Sequence, residues 1–114
     1  MKLQSCFIVT LLLLKLVSNA QNLVSNSGFE DYSSCPDSPG QIGLANDWYV
    51  SSGTADYFHS CSPGNTFNVP VNEFSYQNPV DGSAYAGFAT WSSANPISPN
   101  KEIIRGTLSA PLIQ

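Results

Sequence analysis

Beyond residue 20, apolar residues occur in short runs, and no stretch of helical length places them at i, i+3, i+4 and i+7. Gly, Pro, Ser and Asn interrupt the chain about every 8–12 residues, which is the spacing of a β-sandwich or barrel. The pattern therefore predicts an all-β fold with five strands, over 22–25, 47–51, 55–59, 83–91 and 102–109.

The predicted strand over 83–91 is apolar on both faces, because small and large apolar residues alternate along it. Ala86 and Phe88 point to one side and Tyr85 to the other, so we expect both faces to be covered. Gly87 lies among these large residues and indicates that a bulky neighbour approaches the strand there.

The large or strand-interior positions of each segment are predicted to form one core. In the last strand, Ile104 and Leu108 share a face and Arg105 lies on the opposite one. The predicted core residues are Leu23, Phe29, Trp48, Phe58, Ala86, Phe88, Ile104 and Leu108.

The first twenty residues have the three parts of a signal peptide. Lys2 is followed by an apolar run over 7–14, and Ser18-Asn19-Ala20 is a small-x-small cleavage site. Lys15 interrupts the run before it reaches the roughly 20 residues of a spanning helix, so a membrane anchor is disfavoured. We expect a signal peptide over 1–20, a partial β-sandwich module over 21–114 without membrane insertion, and a secreted, cell-surface or periplasmic location.

Removal of the first twenty residues leaves two basic residues, Lys101 and Arg105, against eight acids, a net charge of about −6. A chain with this balance is not expected to bind nucleic acid or anionic membranes. Cations and neutral ligands remain compatible with it.

Two cysteines remain in 21–114, Cys35 and Cys61, and an even number in an exported chain favours a disulfide. A zinc site would need more ligands, and His59 is the only histidine. We predict that Cys35 and Cys61 are bonded to each other.

Residue types that could catalyse a reaction are present without a convincing arrangement. Asp56, His59 and Ser60 have the chemistry of a triad, but strand alternation places Asp56 and His59 on opposite faces. Acid pairs for glycoside hydrolysis can be drawn in any acidic chain. We therefore expect a non-enzymatic module with no catalytic residues.

Aromatic residues are numerous for so short a chain, and exposed rings bind the apolar faces of sugars. Most are expected in the core. Tyr49, Tyr76 and Trp91 lie near predicted loop ends and are the candidate ligand-binding residues.

The order of these features resembles a known fold. The residues that carry the resemblance are Asn22-Leu23-Val24 with Asn26-x-x-Phe29-Glu30, Trp48, Asp56-Tyr57-Phe58, Gly82-x-x-Tyr85-Ala86-Gly87 and Leu108-x-x-Pro111-Leu112. They resemble the N-terminal half of galactose-binding-like jelly rolls, including carbohydrate-binding modules. The Cys-Pro loop and the Asp56-Tyr57-Phe58 segment are similar to exported modules of Gram-negative envelope proteins, which precede OmpA-like or C-terminal sorting domains.

In the resembled modules the glutamate of the Phe-Glu motif helps to bind a structural calcium ion, which implies Glu30 as a calcium ligand and no other cofactor. Calcium takes six to eight oxygen ligands. On residue chemistry alone, solvated loop carboxylates are the preferred interpretation of the adjacent Glu30 and Asp31.

Two functions follow from these observations. One is a structural or adhesive module of a bacterial cell-envelope or secreted protein, docked to a neighbouring envelope domain. The alternative is a carbohydrate-binding module appended to a secreted enzyme, with a glycan as partner. A row of exposed aromatic side chains would favour the second. Because a jelly roll has about eight strands and five are predicted, we also expect the domain to be incomplete at its C-terminus.

Overall fold

A computed structural model describes residues 22–88 and 101–112. Its regular elements in those residues are one 3-10 helix and four short strands, so the fold is all-β. The helix is Ile42–Leu44, and the strands are β1 (Trp48–Ser52), β2 (Asp56–His59), β3 (Ala84–Gly87) and β4 (Ile103–Gly106).

The strands form two antiparallel two-stranded sheets, β1 with β4 and β2 with β3. Four of the five predicted strands are thus present, although β3 and β4 are shorter than predicted. A jelly-roll arrangement remains a prediction, because two small sheets define the class of the fold and not its topology.

The segment predicted as the first strand pairs with the chain that follows β4. Val24 forms an isolated antiparallel bridge with Leu108. The backbone N–H of Ser25 donates to the carbonyl of Thr107 at 2.9 Å, and that of Ser109 donates to the carbonyl of Leu23 at 2.8 Å. The two ends of the described chain are therefore held together by backbone hydrogen bonds.

One buried cluster lies between the sheets and the 3-10 helix. Its buried members are Ile42, Ala45, Ala55, Tyr57 and Ala84. Four predicted core residues pack against it: Phe29, Trp48, Ala86 and Ile104. The predicted core does not include these five residues. Ile42 and Ala45 follow a Pro-rich loop with no strand periodicity, whereas Ala55, Tyr57 and Ala84 lie within predicted strands.

A second buried cluster covers the other face of the β2–β3 sheet. It contains Phe58, Phe67 and Val69, with Tyr85 packed against it. Residues directly opposite in an antiparallel pair share a face, and Phe58 is opposite Tyr85. The prediction that β3 is covered on both faces is confirmed.

Two predicted core residues are exposed, which corrects the sequence analysis. Phe88 is 51% exposed because β3 ends at Gly87, so strand alternation does not carry its ring into the core. Leu108 is 41% exposed because it lies beyond the end of β4 and forms only the single bridge to Val24.

Cys35 and Cys61 form the predicted disulfide, with their Cα atoms 5.5 Å apart. The bond joins the loop before the 3-10 helix to the turn that follows β2. In residues 22–88 and 101–112, no helix is long and apolar enough to cross a lipid bilayer.

Gly87 makes the close approach that the sequence predicts. A Cβ atom at this position would lie 2.6 Å from Cε2 of Phe58, closer than carbon atoms can pack. The position therefore requires glycine if the Phe58 ring is to remain over the strand.

We expect Gly87→Ala to lower the free energy of unfolding by about 1–3 kcal/mol, because the new methyl group displaces the Phe58 ring. Gly64→Ala is the matched control, since nothing lies within 4 Å of a Cβ there. Urea denaturation of both variants measures the difference. Equal stability of the two variants would show that the Phe58 ring moves aside freely.

Candidate ligand-binding groove

An open groove of about 410 Å³ runs along the β2–β3 sheet, on the face that carries Phe58. Aromatic rings and short polar side chains share its lining. The lining residues are Asp56, Phe58, Asn72, Phe74, Ser75, Gln77, Tyr85, Ala86, Gly87 and Phe88.

The floor of the groove is a rigid aromatic stack. The rings of Phe58 and Tyr85 lie 5.1 Å apart at 27°, and Phe67 packs against Phe58 from the interior. Because Phe58 and Tyr85 are cross-strand partners, the backbone hydrogen bonds of the sheet fix their relative position.

Two exposed rings stand at the rim. Phe74 is 64% exposed and meets Phe58 edge to face at 6.0 Å, and Phe88 is 51% exposed. Exposed rings of this size are costly to hydrate, so a ligand that covers them gains free energy by removing apolar surface from water. The rim therefore has the chemistry of a binding surface.

A tight turn that follows Phe67 and Val69 of the second buried cluster positions Phe74. Val71 and Tyr76 form an antiparallel bridge. Between them, the side-chain Oδ1 of Asn72 accepts hydrogen bonds from the backbone N–H groups of Phe74 and Ser75, both at 3.0 Å. An Asn side chain that binds the backbone two residues on is a common turn-forming contact.

The same Asn72 side chain connects this turn to the floor. Its Nδ2 donates to the Tyr85 hydroxyl at 2.6 Å. Burial raises the pKa of Tyr85, although the hydrogen bond from Asn72 acts in the opposite direction. The hydroxyl therefore remains protonated at neutral pH and keeps an O–H group that can donate to a ligand.

Asp56 is the only carboxylate among the described residues of the lining. It lies on the same strand face as Phe58, and its Oδ1 accepts a hydrogen bond from the backbone N–H of Gly40 at 2.7 Å. Its cross-strand partner is Gly87, over which the Phe58 ring packs.

The sequence-predicted ligand residues lie elsewhere. Tyr49 is 48% exposed on β1, beneath the guanidinium of Arg105, whose Cζ is 5.4 Å from the ring centroid. Tyr76 is 67% exposed and follows the groove residue Ser75, but it does not line the groove. Trp91 lies outside the described residues.

Phe74 and Phe88, which the sequence analysis did not select, form the rim. Phe74 follows Glu73 in a polar stretch with no strand alternation, so an isolated aromatic residue in a turn was the available signal. Strand alternation predicts Phe88 in the core, because it does not show that β3 ends at Gly87.

Glu30 stabilises a turn on the other side of the molecule. Its Oε1 accepts a hydrogen bond from the backbone N–H of Ser83 at 2.7 Å. The adjacent Gly82 has φ +68°, and a Cβ there would collide with the Glu30 carboxylate. Glu30 thus fixes the chain entering β3.

In the described residues, the structure brings no further metal-binding side chains together with Glu30. In the described part of the chain, no three His, Cys, Asp or Glu side chains gather around a common point. One Glu30 oxygen is occupied by Ser83, and Asp31 Oδ1 accepts from the side chain of Asn46. These residues do not form an oxygen cage, and Glu30 as a calcium ligand stays a prediction.

His59 lies on the opposite face of β2 from Asp56, as strand alternation predicts. Its ring packs 4.4 Å from the ring of Tyr32, and its Nδ1 accepts a hydrogen bond from the backbone N–H of Cys61 at 2.9 Å. Burial lowers the pKa of His59, while the negative charge of Glu30 acts to raise it. His59 therefore supports the turn that carries the disulfide.

Comparison with protein-family models, curated proteins and solved structures finds no match to this chain. The resemblance to galactose-binding-like modules remains a prediction from the motifs.

The lowered pKa of His59 predicts a loss of stability in mild acid. Below the ordinary histidine pKa of 6.5, the unfolded chain binds a proton that the folded chain does not, so the free energy of unfolding falls as the pH falls. In His59→Asn, the amide oxygen can replace Nδ1 as acceptor without titrating.

Urea denaturation between about pH 7.5 and pH 5.5 tests this prediction, in the range where histidine titrates. The native chain should lose stability toward pH 5.5, and His59→Asn should lose less. Identical pH profiles would show that another group causes the change.

Proposed function

We propose that this chain is a non-catalytic β-sandwich module of an exported bacterial protein, and that it adheres to saccharides through the aromatic groove. A galactose-binding-like fold and a position in the cell envelope or in secretions are parts of this proposal. They are supported by the signal-peptide pattern, the ordered motifs, the all-β fold and the disulfide.

The observation that carries the proposal is the pair of exposed rings, Phe74 and Phe88, above an aromatic floor. Saccharide rings have apolar C–H faces that stack on aromatic side chains, while their hydroxyl groups need directed hydrogen-bond partners. The Tyr85 hydroxyl and the amide of Gln77 supply polar groups beside the rings.

A structural role is the second candidate. The β1–β4 sheet exposes Tyr49 and Ile103, and Val50 is partly exposed at the same sheet. Such a surface is compatible with docking of a neighbouring envelope domain. The groove combines exposed rings and polar side chains in one concave surface, which supports saccharide binding as the first candidate.

We expect Phe74→Ala to abolish or strongly weaken saccharide binding. Phe74 is exposed, so its removal should change the free energy of unfolding by less than about 1 kcal/mol. A glycan array probed with the full chain, exported to the periplasm so that the disulfide forms, measures binding.

Tyr49→Ala and Tyr76→Ala are matched controls, because both remove exposed rings that do not line the groove. They should keep the binding of the native chain. If only a control variant loses binding, the binding site lies at that residue and not in the groove. If the array shows no bound glycan, the structural role is favoured.

A further inference from the structure

The charge distribution narrows the chemistry of the ligand. Among the residues that the structure describes, the groove lining contains Asp56 and no Lys or Arg. Lys101 and Arg105 are the only basic residues of the sequence beyond position 20, and Arg105 lies over Tyr49 on the other sheet. In this described lining, the charge of Asp56 is therefore not neutralised by a cationic side chain.

Asp56 retains capacity to bind a ligand. A carboxylate offers about four lone-pair sites, and the backbone N–H of Gly40 occupies one of them. The Phe58 ring packs over Gly87, the opposite residue on β3, so Asp56 lies directly beside the aromatic floor of the groove.

The aromatic lining favours the same type of ligand. The negative faces of Phe and Tyr rings attract cations within about 6 Å of their centroids. The net charge of about −6 over 21–114 also attracts cations and repels acidic saccharides at long range.

We infer that the groove selects a saccharide that carries a primary amine, such as an oligosaccharide of deacetylated hexosamine. Its ammonium group pairs with Asp56, the C–H face of a sugar ring stacks on Phe74 or Phe88, and the Tyr85 hydroxyl donates to a sugar oxygen. This inference rests on the proposed saccharide binding and specifies the class of saccharide.

The test compares two probes that differ only at the amine, chitotetraose and its fully deacetylated form. Calorimetry with the full chain at about pH 6 should show about tenfold tighter binding of the deacetylated form. Raising the salt concentration to about 1 M should reduce this preference, because salt screens the ion pair.

Asp56→Asn should remove the preference. The amide oxygen can still accept from Gly40, so the turn is kept while the charge is lost. Asp47→Asn is the matched control: it removes the same charge outside the groove, at a position with φ +68° that asparagine tolerates. The control should keep the tenfold preference.

The remaining outcomes overturn either the amine selectivity alone or the proposed saccharide binding as well. Equal binding of both probes, unchanged in Asp56→Asn, overturns the amine selectivity and leaves saccharide binding standing. Failure of both probes, when the array shows another bound glycan, likewise overturns only this inference. Failure of every glycan overturns the proposed function as well. A trilysine peptide that displaces the deacetylated probe and binds more tightly would identify a cationic peptide as the ligand.

Discussion

The side-chain amide of Asn26 holds together three segments on which the rest of the fold depends. Its Nδ2 donates to the backbone carbonyls of Asp31 and Asn46, and its Oδ1 accepts from the backbone N–H of Asp31. The backbone carbonyl of Asn26 accepts from Nε1 of Trp48. Its φ of +48° is one that asparagine adopts more readily than most residues. This one residue thus places Trp48, and hence β1, beside the chain that carries Phe29.

Contacts that start at Phe29 and Trp48 lead to both buried clusters. Phe29 stacks on Trp48 at 4.5 Å, and the carbonyl of Phe29 accepts from the Tyr57 hydroxyl at 2.7 Å. Tyr57 is fully buried, and its neighbour on the strand, Phe58, points to the opposite face and forms the groove floor. The opening loop is therefore connected to the groove through two adjacent residues of β2.

The alternation of residues along the predicted strands is sufficient to predict features that depend only on neighbouring positions. The two-faced β3 and the tight position at Gly87 follow from the order of small and large residues, whereas the Cys35–Cys61 bond was predictable from the even number of cysteines in an exported chain. Alternation wrongly predicts that Phe88 is buried, because the sequence does not show where the hydrogen bonds between β2 and β3 end. The groove was not predictable from the sequence. Phe74 contacts Phe58 because the Asn72 side chain hydrogen-bonds both to the turn that carries Phe74 and to the Tyr85 hydroxyl. Such a contact depends on tertiary placement and leaves no periodic pattern.

Phe58 belongs to the buried cluster and to the groove floor at once. A change to the Phe58 side chain therefore alters the packing of the cluster and the surface of the groove in the same step. A smaller residue at this position would leave a cavity in the cluster as well as a deeper floor. The rim rings Phe74 and Phe88 are exposed, so the shape of the rim can change with little effect on the core.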